Sequence, residues 1–457
     1  VAGLEDLGQV LTAERAAIVV AGAGWAGCAA AAELALAGHK VLLLEAARSL
    51  GGRARGVALD GRLLDNGQHI LLGAYRATLD LMQRLDLREE KIFLRLPLQM
   101  RYAPQPPAMQ FLAPRLPAPW HVLWALLRAR GLTRSDKLAI ARFQSTARWM
   151  GWLLYQDCSV AELMERYEQT ENAVRLLWRP LCLAALNTPL EQASAQVFLN
   201  VLKDSLGARR AASDMLLPVR DLSSVFPQRV AQVVEAKGGA VRTGARLTQA
   251  VRAEAGWRLE LADGASLHAD ALVLALPAWQ ARPVLAHTAP ELVPPFAHLP
   301  ITTVYLQYAQ TLRLPHPFLA LVDAPGAGRH GQFVFDRGQL DAAAAGLLAV
   351  VISVSEEAAQ LPHEALAQAV ARQLAADFNN PDLAHPQWQR VVTEKRATFA
   401  CTPGLQRPPV ETGLPNLWLA GDYTAGPYPA TLEGAVASGR AAAEALLQSI
   451  SRTRASA

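Results

Sequence analysis

The sequence predicts an α/β protein built on a doubly wound parallel sheet, and three observations near its start carry that expectation. A short apolar run, Ala17-Ile18-Val19-Val20, leads into Gly22-Ala23-Gly24-Trp25-Ala26-Gly27. Residues 28–37 are helix-forming, and Gly38 is a natural stop. Val41-Leu42-Leu43-Leu44 is then continuously apolar, as a parallel strand buried on both faces must be, and Glu45 closes it. Strand, glycine turn, helix and strand make a βαβ unit.

The later segments follow in order. Residues 92–119 read as short strands broken by Pro97, Pro104, Pro106, Pro107, Pro114, Pro117 and Pro119. From 120 to 206 the pattern turns helical. Ser159-Val160-Ala161-Glu162 and Thr188-Pro189-Leu190-Glu191 both have the capping-box form, so helices are expected to start there. Residues 224–237 predict another helix, stopped by Gly238-Gly239. Alternating segments at 240–252, 256–262 and 266–276, separated by turn signals, predict a three-stranded β-meander. Residues 300–354 are strand-rich, 356–378 predict a helix, 417–420 a short buried strand and 431–448 a closing helix of small residues.

Composition narrows the function classes. The 457 residues are 51% hydrophobic and 18% charged, which excludes a mainly disordered chain. Lys plus Arg number 44 and Asp plus Glu 40, a net charge of +4 that is no nucleic-acid footprint. The four cysteines, Cys28, Cys158, Cys182 and Cys401, form no CxxC, so neither a disulfide framework nor a metal site is expected, and a reducing, cytoplasmic setting fits. The uncharged run 16–32 is mostly Ala and Gly and follows Glu5, Asp6 and Glu14 rather than basic residues. Glu33 ends it short of the roughly 20 residues that a membrane span needs.

Gly22-x-Gly24-x-x-Gly27 with Glu45 after the second strand is a dinucleotide fingerprint. Gly22 serves the tight turn, Gly24 the approach of backbone to a pyrophosphate, and Gly27 the close packing of helix on strand. The helix start at Trp25 and Ala26 offers unpaired N–H groups to the phosphates. Glu45, followed by Ala46, would accept from an adenosine ribose; no Arg replaces it, so a 2′-phosphate is not expected.

Gly51-Gly52-Arg53 downstream and Leu419-Ala420-Gly421-Asp422 near the end complete a pattern that resembles the FAD-dependent amine oxidase and phytoene desaturase superfamily. The resemblance implies FAD as cofactor. It places Gly51, Gly52 and Arg53 along the pyrophosphate, Asp422 at the ribityl–phosphate region and Leu247 at the adenine. The backbone of Thr431, Leu432 and Glu433 would lie against the flavin, where the start of a last helix also suits the negative charge of a reduced ring. It further implies a Rossmann-like FAD-binding domain, assembled from 1–75, 211–280 and 396–457, beside an α+β substrate domain from 76–210 and 281–395. Three runs are more specific: Leu64-Asp65-Asn66-Gly67-Gln68-His69-Ile70-Leu71-Leu72-Gly73-Ala74-Tyr75, Arg179-Pro180-Leu181-Cys182-Leu183-Ala184-Ala185-Leu186-Asn187-Thr188-Pro189 and Leu202-Lys203-Asp204-Ser205-Leu206. They are similar to the squalene-associated branch, the hydroxysqualene dehydroxylases. The stretch 281–400 adds little to the likeness.

That branch implies reductive loss of an allylic hydroxyl from hydroxysqualene, giving squalene, in bacterial hopanoid-type triterpene synthesis, with an electron donor that the sequence does not name. The hydroxyl needs a proton donor to leave, a step worth about 10²–10⁴ in rate. The candidates are His69 and Asp65 first, with Tyr428 and Glu433 behind them; Gly67, Gln68 and His69 also stand where the flavin is expected, Gln68 to hydrogen-bond it or position water. Two other enzyme readings, a carotenoid-type desaturase and an amine oxidase, use the same fold, as does a non-catalytic lipid-binding relative; the intact Gly22, Gly24, Gly27, Glu45 and Asp422 argue against the last. A C30 isoprenoid at about 0.8 kcal/mol per buried carbon belongs in the bilayer. A peripheral enzyme on the inner face of the cytoplasmic membrane is therefore expected. Residues 119–130, with Trp120, Trp124, leucines and terminal arginines, suit either an interfacial helix, to which Trp149, Met150, Trp152, Leu153, Leu154 and Tyr155 would add, or a core helix whose arginines snorkel to the surface. A mean hydropathy of +0.13 fits.

Overall fold

The computed structural model describes residues 14–105 and 108–456; Glu5, Asp6, Pro106 and Pro107 lie outside them. The expected α/β architecture is present, with two large sheets and three small ones of two or three strands among the described residues. The first has seven strands, in the order Ala240–Arg242, Val41–Leu44, Glu14–Ala21, Ser266–Leu274, Trp257–Leu261, Leu247–Arg252, with Leu417–Leu419 also paired to Ser266–Leu274. Pairings among 14–21, 41–44, 240–242, 266–274 and 417–419 are parallel, and those of the meander are antiparallel. The long strand Ser266–Leu274 serves both parts. Residues 266–269 pair with the meander, and 272–274 pair with Leu417–Leu419.

The helix Trp25–Leu36 is buried almost all round, which explains its alanines. It packs on the strands and against the helices Pro227–Ala236 and Leu432–Ser456. The contact with the last helix is backbone-close: a Cβ added at Gly439 would lie 2.0 Å from the Ala26 carbonyl oxygen. The uncharged run 16–32 is thus an internal strand, turn and helix. Among the described residues no helix is long and apolar enough to cross a membrane.

The second sheet is antiparallel, in the order Phe318–Ala320, Phe333–Asp336, Leu347–Ser353, His298–Gln307, Trp388–Phe399. Its two faces follow the strand period of two. Val334, Val350 and Ile352 meet Leu366, Val370 and Leu374 of the helix His363–Asp377. Phe333, Phe335, Val351 and Ser353 point the other way, into a cavity.

Three expectations are corrected. The segment 240–252 is two strands, the first joining the parallel sheet and only Leu247–Arg252 the meander. The helix expected over 224–237 is broken between Leu222–Val225 and Pro227–Ala236, because Pro227 has no N–H to continue the first helix. Ser159 and Glu162 form their capping box, but Thr188 starts no helix. Its hydroxyl donates to the Leu186 carbonyl and accepts from the Cys401 amide, and the chain makes a turn on the Pro189 carbonyl. The helix begins instead at Ala195, capped by Ser194.

Candidate active site

The first crossover builds a cradle for a dinucleotide. Gly22 adopts φ +101°, and a Cβ on Gly27 would sit 1.8 Å from the Gly22 carbonyl oxygen, so this turn admits only hydrogen at both places. Gly24 faces Gly52 across a single bridge at Gly51; a Cβ on Gly52 would come 3.1 Å from the Gly24 Cα. The start of the helix Trp25–Leu36 has no side-chain cap and no acid in its first turn. That combination of bare helix N-terminus and side-chain-free walls fits a pyrophosphate.

Glu45 is buried at the end of its strand. Its carboxylate accepts from the amides of Ala23 (2.9 Å) and Ala47 (2.8 Å), which fix it at the mouth of the crevice beside the exposed Ala46. The Ala245 amide donates to the Glu45 carbonyl, so the strand carrying Leu247 starts beside the same acid. Arg53 and Asp422, 369 positions apart, meet at 2.6 Å. Burial alone would lower the pKa of the Arg53 guanidinium, yet Asp422 outweighs it and holds the group above its ordinary value. The Ser438 side chain, from the last helix, accepts from the Gly421 amide and ties the Gly-Asp turn to that helix. Thr431 caps the helix, its hydroxyl accepting from the Gly434 amide, and Leu432 is its first residue.

Beside this cradle lies a cavity of about 280 Å³. Gln68, Tyr428 and Thr431 line it where the cofactor motifs converge. The antiparallel sheet supplies Phe318, Phe333, Phe335 and Val351; the helical segment supplies Val122, Leu126, Phe143, Trp152, Trp178 and Phe198. Its wall is overwhelmingly apolar.

Tyr428 is the candidate acid that the structure places on this wall. His69 does not line the cavity; its Nδ1 lies 3.0 Å from the Gly67 carbonyl, within electrostatic reach of Arg53. Burial first, with Arg53 adding, lowers its pKa, so the ring is a neutral imidazole and a poor acid at pH 7. Glu433 is buried, and its carboxylate accepts from the amides of Ala77 and Thr78 and from the Thr78 hydroxyl. It caps the helix Arg76–Arg84 and docks the last helix there.

Asp65 sits behind Gln68. Its Oδ1 accepts from the Leu222 amide (2.8 Å) and its Oδ2 is 3.9 Å from Arg337, which also donates to Gln68. Tyr305 donates to the Asp65 carbonyl and accepts from Gln68. Burial pushes Asp65 up to about 6 from a free aspartate's 3.8. The folded protein therefore holds a proton that the unfolded chain has lost, and stability falls as pH rises from about 4 to 6. Asp65→Asn is expected to be near neutral for stability below pH 4 and to stabilise by up to about 2–3 kcal/mol above pH 6. Urea midpoints across pH 4 to 8 check this; a midpoint shift with no pH dependence contradicts it.

The sequence reading missed Asp204. It lines the cavity, and its Oδ2 accepts from the Tyr428 hydroxyl at 2.6 Å. The run Leu202-Lys203-Asp204-Ser205-Leu206 pointed to the segment but not to this partner.

The fold and this cradle are those of a dinucleotide-binding protein. The family model described as flavin containing amine oxidoreductase matches residues 25–447, and the chain belongs to that family. Its cofactor is FAD. The chain is 30% identical to a hydroxysqualene dehydroxylase of Rhodopseudomonas palustris over 449 residues, covering 94% of this chain and 97% of that one. It is 26% identical to a 15-cis-phytoene desaturase of Solanum lycopersicum, over 94% and 77%. The cyclohexylamine oxidase of Brevibacterium oxydans shares the fold, with a TM-score of 0.68 at 18% identity over 95% and 99% of the two chains.

Proposed function

We propose that this flavin oxidoreductase removes the allylic hydroxyl of hydroxysqualene reductively, giving squalene for hopanoid-type triterpene synthesis. The observation that carries the reading is the cavity: an almost wholly hydrocarbon wall that begins at the flavin motifs and runs to the inner faces of the helices Trp120–Arg128 and Arg134–Trp149. The sequence likeness to hydroxysqualene dehydroxylases over nearly the whole chain supports it.

FAD, bound and reduced, supplies hydride. The protein's part is to hold and to exclude. Gly24, Gly52, Arg53, Glu45 and Asp422 bind the dinucleotide. The aromatic and branched side chains of the cavity fix a flexible isoprenoid so that its reacting carbon waits at the Gln68–Thr431 end. The same side chains keep bulk water from an allylic cation. Few polar groups interrupt them, as befits a substrate with one hydroxyl.

We place the protein peripherally on the inner face of the cytoplasmic membrane. Trp120, Leu123, Trp124 and Leu127 stand on the outer face of a helix whose inner residues, Val122 and Leu126, line the cavity. Leu138, Trp149, Leu153 and Tyr155 continue the bare surface, and Arg128, Arg130, Arg134 and Arg148 are exposed around it. Apolar side chains ringed by arginines suit an anionic bilayer, and the substrate would pass from lipid through these helices.

The likeness to a phytoene desaturase favours a second reading, the opposite redox direction on a related hydrocarbon. One experiment separates the two. Holoprotein reduced anaerobically and mixed with hydroxysqualene in detergent is expected to yield squalene as flavin absorbance returns. Conversion of phytoene or squalene to more conjugated products by the oxidised protein, with hydroxysqualene untouched, overturns the proposal.

A further inference from the structure

We infer that Asp204, held by Tyr428, is the acid that protonates the departing hydroxyl. The inference rests on reading the cavity as the hydroxysqualene site. Among the described residues, three titratable side chains lie on the cavity wall: Tyr75, Asp204 and Tyr428. Two of them form one unit, joined by the 2.6 Å bond from the Tyr428 hydroxyl to Asp204 Oδ2.

The unit is built rather than incidental. Asp204 and Asn200 stand one turn apart on the helix Ala195–Ser205, and both grip the loop before the last helix: Asn200 donates to the Pro427 carbonyl (2.9 Å), and Asp204 accepts from Tyr428. Arg407 holds the same loop from the other side, donating to the Tyr428 carbonyl. Pro429 and Thr431, next in the chain, line the cavity where the last helix starts. The pair therefore sits at the end of the cavity expected to face the flavin. Asp204 Oδ1 has no hydrogen-bond partner among the described residues and remains open to a ligand.

Burial raises the pKa of the Tyr428 phenol above its ordinary value, with Asp204 adding to the effect. The phenol therefore keeps its proton and commits it to Asp204 Oδ2, which orients the carboxyl and leaves Oδ1 as the atom that can face a ligand. In the step, the proton of the Asp204 carboxyl passes to the hydroxyl oxygen. The carbon–oxygen bond breaks with its electron pair on oxygen, and water departs. The allylic carbon takes hydride from the reductant, a reduced flavin, and the Asp204 carboxylate regains its proton from solvent. Asp204 is the catalytic residue and Tyr428 a positioning residue.

The test uses reduced holoprotein in anaerobic single turnovers. Asp204→Asn is expected to slow flavin reoxidation by hydroxysqualene by about 10²–10⁴. Tyr428→Phe should lower kcat about tenfold with KM unchanged, as loss of one orienting hydrogen bond implies. The acetate ester of hydroxysqualene, whose carboxylate leaves without a proton, should restore Asp204→Asn to within about tenfold of wild type on the same ester. Two readouts need no turnover. Flavin absorbance and the quenching of tryptophan fluorescence by squalene, with Trp152 and Trp178 on the wall, are expected to be unchanged in both variants. If Asp204→Asn reduces hydroxysqualene at the wild-type rate, or remains equally impaired on the ester while binding squalene normally, the assignment fails alone. A wild type inert toward hydroxysqualene overturns the functional reading and this inference with it.

Discussion

Gly27→Ala is expected to yield a colourless protein that unfolds several degrees below the wild-type apoprotein, whereas Gly24→Ala loses flavin and keeps its fold. The difference lies in what each new methyl meets. At Gly27 it lands 1.8 Å from the Gly22 carbonyl oxygen, a backbone atom that cannot swing aside. Sliding the helix away is blocked on its other flank by Gly439, whose missing Cβ lets the last helix approach the Ala26 carbonyl. The strain must then open the packing of strand, first helix and last helix together, at about 1–3 kcal/mol or more. At Gly24 the backbone is extended, with φ −68° and ψ 177°, and the nearest neighbour of the new methyl is the Gly52 Cα at 3.9 Å. Nothing in the apoprotein resists it, and a cap change from Gly to Ala costs about 1 kcal/mol at most. The methyl does occupy the gap between Gly24 and Gly52 where backbone would meet the pyrophosphate. Flavin content by absorbance and apoprotein melting by calorimetry separate the effects. A Gly27→Ala protein that stays yellow and melts like the wild type would refute the packing account; a Gly24→Ala protein that retains FAD would refute the cradle. Because the cofactor stabilises only the folded form, the melting comparison must be made without free FAD.

The dinucleotide half of the site was legible because its chemistry is local. A tight turn, a close helix and an acid at the next strand end all fall within residues 22–45, and each demands a particular residue type. Arg53 and Asp422 were visible as motifs, but nothing in either segment announces that they pair across 369 positions. The cavity wall was less readable. It is assembled from alternate residues of an antiparallel sheet and single faces of helices, so Phe333 and Phe335 look in sequence like any half-buried strand. The acid candidates show the same limit. Asp65 lies in a specific run, yet the strand Arg62–Asp65 delivers its carboxyl to the Leu222 amide. Glu433 opens the helix expected to face the flavin, yet its carboxyl leaves that helix to cap Arg76–Arg84. Asp204 gains its setting only from Tyr428, 224 positions away. Thr188 has a capping pattern, but the Cys401 amide, 213 positions on, claims its hydroxyl.

Replacing Trp124, Leu127, Trp149 and Leu153 together by glutamine is expected to lower binding to anionic vesicles by about 10³ while leaving turnover of detergent-dispersed substrate within about twofold. Trp149 is 87%, Leu153 65% and Leu127 59% exposed, so these three contribute little to the core and their loss should shift stability by no more than about 0.5 kcal/mol each, whereas Trp124, more than half covered and stacked under Arg128, should cost somewhat more. In a bilayer the same side chains have somewhere to go. Full burial of such a residue is worth about 1.5–3 kcal/mol; half of that, for four, gives about 4 kcal/mol or roughly 10³ in partitioning. The exposed arginines at 128, 130, 134 and 148 add an attraction that salt screens, so the residual binding of the variant should vanish at high ionic strength while the wild type keeps its apolar share. Detergent micelles deliver substrate without a bilayer, and the cavity lining, Val122, Leu126, Phe143 and Trp152, is untouched. The two assays therefore divide entry from chemistry. Vesicle co-sedimentation equal to that of the wild type would remove the membrane-docking role from this surface. An equal loss in detergent would mean that the four side chains support the cavity itself rather than its approach from lipid.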